Sequence, residues 1–250
     1  MVDEWLESAM KQYNQASYDA REAYPAILQM PGKLLGNLIQ WCLEALPDEI
    51  LVGLDISSER QVRKEVSQAF AGPESRDDLF AGQGYSISEA QVVNRGNSMT
   101  VHHLPEEWTD EIFGAERGPR GGRFTHWLHT HPNAPAIPSG PDAAAAQWTE
   151  GVDLILGVEF SPAWGAPWVD GVEGKRRMVA GNKRPEGEKG QSWFRQRMAR
   201  EKRPVLGRAK TGHSIHGIEL IAFHRSGVGV NILFVDENNL PYGWPFPDVQ

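Results

Sequence analysis

An α/β layered fold is the class this 250-residue sequence predicts. Two observations predict it. Short apolar runs of strand length ("EILVGLDI", "VDLILGVEF", "NILFVD") recur along the chain, and segments with helical apolar spacing are set between them, with proline and glycine marking the joints. At 40% hydrophobic and 23% charged, the composition suits one elaborated domain, or one domain with extensions.

Residues 1–30 read as a polar helical extension with scattered aromatics (Trp5, Tyr13, Tyr18, Tyr24), an arm for the body or for a second subunit. The main domain spans residues 31–240. After "MPG", the 3-4-3-4 apolar spacing predicts a helix over 33–46, stopped by Pro47, and "EILVGLDI" follows as a strand. Cys42 falls on the apolar stripe with Leu35, Leu38, Ile39 and Leu46, a core position and a poor one for a nucleophile. As the lone cysteine it excludes an intrachain disulfide and a cysteine-built zinc cluster within one chain.

Residues 57–84 read as a polar helix followed by a Gly-rich loop, and "YSISEAQVV" and "NSMTVHHL" as strands around a turn at "NRG". "EEWTDEIFG" has the look of a short helix and "ERGPRGG" of a loop. "RFTHWLHTH" alternates as a strand until Pro132, and "PDAAAAQWTE" places a proline near the start of a helix of good formers. "VDLILGVEF" is a buried strand, "SWFRQRMAREK" a helix, and "HGIELIAFH" and "GVGVNILFVD" are closing strands. The tail, 241–250, is rich in proline and aromatics and is expected to pack along the surface.

Charge is uneven. Residues 171–212 carry 13 Lys and Arg against 4 Asp and Glu, while the whole chain has a formal net charge of −8. Such a basic segment is either a solvated insertion or an attractor of nucleic acid or of an acidic protein face. No apolar run approaches the roughly 18 residues of a membrane span, and the acidic N-terminus lacks the features of a signal peptide, so a cytoplasmic location is expected.

The chemistry concentrates in "WLHTHPNAPAIPSGPD", residues 127–142. On a strand, residues i and i+2 share a face, so His129 and His131 present two imidazoles together, about 7 Å apart along the chain. Asp142, in the first turn of the next helix, can swing back as a third ligand. Two histidines and one aspartate make a three-ligand set, which for zinc leaves a fourth position open to water, the catalytic arrangement. Hydrolysis by metal-activated water also needs a general base, usually a glutamate. Ser139 is either a donor to the developing oxyanion or a helix N-cap. Trp127 shares the face of the two histidines, as cleft lining or as a packed aromatic. His102, His103, His126, His213, His216 and His224 read as structural or surface residues.

"HTHPNAPAIPSGPD" matches His-x-His-Pro, six residues, then Ser-x-x-Asp at all five fixed positions. In this the chain resembles the JAMM (MPN+) zinc metalloproteases, most closely their stand-alone prokaryotic and archaeal members, over residues of about 33–160. The resemblance implies the MPN-type, cytidine-deaminase-like α/β fold, a curved mixed sheet flanked by helices. It implies Zn2+ held by His129, His131 and Asp142, Ser139 near the oxyanion, and a catalytic glutamate upstream in a Pro-x-Glu-x-x-Gly-like context. "LPDEILVGL" offers Glu49 as that base, with Glu89 in "SISEAQVV" as the rival. The 80 positions from Glu49 to His129 exceed the compact family core, which makes 57–84 an insertion, with a second at 171–212. The substrates implied are conjugates of a ubiquitin-like modifier or a sulfur-carrier protein, cleaved at the isopeptide or peptide bond. The alternative is a non-catalytic scaffold of the same fold that binds protein or nucleic acid through the basic segment. Metal-dependent deaminases have a related layout, but their His-x-Glu and Pro-Cys-x-x-Cys ligands are absent.

Overall fold

The computed structural model describes residues 2–56, 62–70, 85–96, 124–162 and 203–246. The expected elements in "NSMTVHHL", "EEWTDEIFG", "ERGPRGG" and "SWFRQRMAREK", and most of the 57–84 and 171–212 segments, lie outside those residues. Among the described residues, no helix is long and apolar enough to cross a membrane.

The elements run α1 (Glu4–Asp19), a 3-10 turn (Arg21–Ala23), β1 (Ile27–Pro31), α2 (Gly32–Ala45), β2 (Ile50–Ile56), α3 (Lys64–Phe70), β3 (Tyr85–Arg95) and β4 (His126–Pro132). They continue with α4 (Gly140–Ala146), β5 (Val152–Ser161), β6 (Gly207–Arg208), β7 (Ser214–His224) and β8 (Asn231–Val235). Among the described residues this is a mixed α/β architecture, with an eight-stranded sheet in the order β6-β7-β5-β4-β2-β3-β1-β8 flanked by helices. The sheet curls, and the Val230 N–H reaches the Ala222 carbonyl at 2.8 Å, drawing β7 toward the chain that enters β8.

Helix α2 forms where the 3-4 spacing predicts it and buries Leu34, Leu35, Leu38, Ile39, Cys42 and Leu43. It ends at Ala45 because Leu46, the residue before Pro47, is pushed into an extended conformation (φ −47°, ψ 142°). Strand β2 is buried on both faces. Val52 and Leu54 enter the main core with α2, and Leu51 packs on the other side with Trp127. Double burial is what makes a central strand read as a continuous apolar run.

The chain departs from the sequence reading before residue 31. Residues 1–30 are not helix throughout, because Ile27–Pro31 form β1, which pairs in parallel with β8 and with β3. Five residues of mixed character, "ILQMP", carry too short a pattern to signal a strand, and the pairing that fixes them lies at the far end of the chain. Helix α1 packs on the body, the first of the two placements the sequence left open. Its Leu6 and Met10 belong to the main core, and two polar side chains on its buried face close the outer edge of β8. Asn14 accepts from the Phe234 N–H (2.9 Å) and donates to the carbonyls of Phe234 (2.8 Å) and Tyr242 (3.0 Å), while the Ser17 hydroxyl donates to the Ile232 carbonyl at 3.0 Å. An open strand edge would otherwise invite pairing with another chain. Each buried backbone group left without a partner there would cost about 1–3 kcal/mol.

The tail is seated more deeply than a surface strap. Phe246 is buried, stacked on Tyr18 with ring centroids 5.0 Å apart and set edge-on to Phe70 of α3 at 5.5 Å. The last part of the basic segment, residues 203–212, includes β6, which pairs with β7. Arg203 forms an ion pair with Glu159 on β5.

Candidate metal centre

Strand β4 lies in the middle of the sheet, antiparallel to β2 and parallel to β5. Alternation divides its side chains: Leu128 enters the main core, and Trp127, His129 and His131 emerge on the opposite face. The two imidazole Nε2 atoms lie 3.1 Å apart. Asp142, in the first turn of α4, brings Oδ1 to 3.4 Å from His129 Nε2, and one ligand atom from each of the three residues lies within 4.8 Å of the others. Two ligands each about 2.0–2.1 Å from an ion, at a tetrahedral angle, are themselves about 3.3 Å apart. The spacing therefore fits a group that could hold a metal ion.

The surroundings hold His131 and Asp142 in a form that could bind a metal. The Pro135 carbonyl lies 2.8 Å from His131 Nδ1. A carbonyl only accepts, so the ring proton sits on Nδ1 and the Nε2 lone pair is left for the metal. Burial lowers the His131 pKa, and the nearby His129 lowers it further, against the raising effects of the Pro135 carbonyl and Asp142. Asp142 turns Oδ2 to the N–H and the hydroxyl of Ser139, both at 2.7 Å, which leaves Oδ1 toward the imidazoles. Burial alone would raise the Asp142 pKa, but hydrogen bonds from His129 and Ser139 outweigh it and hold the carboxyl well below the usual range.

Ser139 has the geometry of a cap. Its hydroxyl also accepts from the Asp142 N–H at 3.3 Å, and the reciprocal bonds make a capping box at the start of α4. Helix α4 begins here because Ser139 caps it, Pro141 fits its first turn and alanines follow. The same box that starts the helix aims the aspartate.

Glu49 immediately precedes β2. The Ile50 N–H donates to Thr130 Oγ1 at 3.1 Å, and the Gly96 N–H to the Glu49 carbonyl at 2.9 Å. Leu51 is opposite His129 at the last rung of this antiparallel pair, and Glu49 lies two residues beyond it, toward the His131 end of β4. Its half-buried carboxyl is pushed up to about 7 by burial; His129 lowers it and Asp142 raises it. Glu89 is elsewhere. It is exposed on β3 opposite Asp55, four residues along β2 from the Leu51–His129 rung, or about 13 Å by strand rise. The structure thus brings Glu49, His129, His131, Asp142 and Ser139 together and leaves Glu89 apart.

Other candidates resolve into packing. Trp127 is buried with Leu51, Val93 and Phe124, and its ring meets Phe124 edge-on at 5.9 Å. Burial pushes the Cys42 thiol up to about 12, which suits a core residue and not a nucleophile. His126, His213 and His224 each hydrogen-bond a neighbouring Thr or Ser hydroxyl through Nδ1, and His216 lies between Ser161 and the Pro204 carbonyl. His102 and His103 lie outside the described residues. Sequence reasoning missed Thr130 and Asn133. Asn133 adopts φ 55°, gives its N–H to the Val158 carbonyl (2.8 Å) and accepts from the Phe160 N–H (2.9 Å), anchoring the loop between His131 and Ser139. An asparagine between His-Pro and Ala-Pro was the available signal for that turn. Neither a scan of protein-family models nor a search of curated proteins finds a match to this chain.

Proposed function

We propose that this chain is a zinc-dependent isopeptidase of the JAMM type, which cleaves a ubiquitin-like modifier or sulfur-carrier protein from its conjugates in the cytoplasm. The observation that carries the reading is the approach of His129, His131 and Asp142 to within 4.8 Å of one another, with the Glu49 carboxyl close enough to feel the charges of His129 and Asp142. A curled mixed sheet with α2 leading into the Glu49 strand is in keeping with the MPN-type fold. Two imidazoles and a carboxylate without thiolate suit zinc better than magnesium or calcium, which take oxygen ligands. When bound, zinc lowers the pKa of a coordinated water to about 7 and polarises a carbonyl.

The chain's own groups carry the rest. Glu49, half-buried and close enough to His129 and Asp142 to feel their charges, takes the proton from the attacking water and returns it to the leaving lysine amine. Ser139 stands beside Asp142, and turning its hydroxyl away from Oδ2 would direct that proton at the developing oxyanion. Ser139→Ala is expected to keep its metal, lose about 1 kcal/mol of stability with the cap, and lose about a hundredfold in turnover with the oxyanion donor. Turnover equal to wild type would restrict Ser139 to capping.

The test is to incubate the protein with cell-derived conjugates of ubiquitin-like proteins, with and without a zinc chelator, and to identify what is released by mass spectrometry. Release of a free modifier, abolished by the chelator and restored by zinc, is expected. No release from any conjugate pool, or release indifferent to the chelator, would contradict the reading, and the former result would favour a scaffold.

A further inference from the structure

One rung of the sheet runs from the metal centre to a carboxylate two strands away. His131 of β4 is opposite Gly157 of β5, and Gly157 is opposite Glu219 of β7. The loop after His131 lies directly over Gly157, where a Cβ would stand 2.7 Å from the Ala134 carbonyl oxygen and 3.1 Å from the Ala136 nitrogen. Only a residue without a side chain lets the loop descend this far. At that point Glu219 Oε2 accepts from the Ala136 N–H at 3.0 Å. Ala136 is buried, and the carboxylate that reaches it comes from an exposed position.

The Ala136 N–H and the Pro135 carbonyl belong to the same planar peptide unit. Its nitrogen end is held by Glu219, and its oxygen end lies 2.8 Å from His131 Nδ1. Carboxylate, peptide and imidazole therefore form one hydrogen-bonded chain in which the negative charge polarises the peptide and makes its carbonyl a stronger acceptor. It resembles the carboxylate that often backs a metal-bound histidine, with a peptide interposed. We propose that Glu219 is a positioning residue for the metal centre, fixing the ring orientation and tautomer of His131 through the Pro135–Ala136 peptide. This rests on the reading of His129, His131 and Asp142 as metal ligands.

Metal affinity tests it, measured by titrating the metal-free protein with cobalt and zinc against a competing chelator, with the cobalt absorption spectrum as the report on ligand geometry. Glu219→Ala is expected to weaken binding by about 10–100-fold, the usual effect of losing an outer partner of a ligand, and to alter the cobalt spectrum. Glu219→Gln, whose neutral amide oxygen still accepts from the same N–H without the charge, is expected to recover part of that loss. Should the alanine variant fail to fold, Glu219→Met fills the space without an acceptor and takes its place. Wild-type affinity in the alanine or methionine variant would overturn the proposal, as would equal weakening in the glutamine variant, because the hydrogen bond would then not be the cause. If wild type itself takes up neither metal, the metal centre fails and this inference with it, a result read from wild type alone.

Discussion

Alanine at His129 or Asp142 is expected to abolish metal binding and to reduce conjugate cleavage to background. The three ligand atoms lie within 4.8 Å of one another, and removal of either residue leaves two, too few to hold the ion against water. Loss of binding has a reading independent of activity. A metal that binds only the folded state stabilises it by RT ln(1 + [L]/Kd), about 4 kcal/mol at a thousandfold excess over Kd. Thermal unfolding of wild type should therefore shift upward on adding zinc, and that of His129→Ala should not move. Asp142→Ala carries a second cost, because the aspartate also accepts from the Ser139 N–H in the capping box. Asp142→Asn separates the two effects, since it retains a carbonyl oxygen for the cap and gives up the anionic ligand. A zinc-induced stabilisation equal to wild type in either alanine variant would show that the metal binds elsewhere.

Glu49→Gln is expected to keep its zinc and to cleave about 10²–10⁴-fold more slowly, the usual span for removing a general acid–base group. The same substitution has a signature in the metal-free protein. Glu49 has its pKa raised from an ordinary 4.5 to about 7, chiefly by burial, so the folded state holds this proton more tightly than the unfolded chain does. The stability contributed by that proton is fully present below about 4.5 and is lost as pH rises through about 7. Glutamine carries no such charge. The metal-free variant should therefore gain on wild type in chemical denaturation as pH rises from 5 to 8. For the loaded enzyme, activity should rise with pH as Glu49 ionises. A nearby dication favours the carboxylate, so this acid limb is expected below 7. If Glu49→Gln cleaves normally and Glu89→Gln does not, the base assignment is wrong.

The elements that build the site were legible because their patterns are local. The apolar spacing of α2, the continuous apolar runs of β2 and β5, and the alternation in "RFTHWLHTH" each carry their period within one element. The group that could hold a metal ion was legible from spacing: strand periodicity joins His129 to His131, and a helix start brings Asp142 to them. What was not legible depends on distant parts of the chain meeting. Strand β1 exists because β8 and β3 flank it, and Asn14 and Ser17 of α1 look like ordinary polar helix residues until the edge of β8 lies beneath them. The bond from Glu219 to Ala136 crosses 83 positions of sequence and leaves no local pattern. Ser139 was legible as two alternatives. The observed bonds belong to the cap, and catalysis would require its hydroxyl to turn from Asp142.

The most direct measurement is a titration of chelator-stripped protein with zinc while hydrolysis of an isopeptide-linked modifier is followed. Turnover should start at background, rise in proportion to added zinc and reach its plateau at one zinc per chain. Full turnover in the stripped protein, or uptake of zinc with no hydrolysis at any stoichiometry, would contradict a catalytic metal at His129, His131 and Asp142.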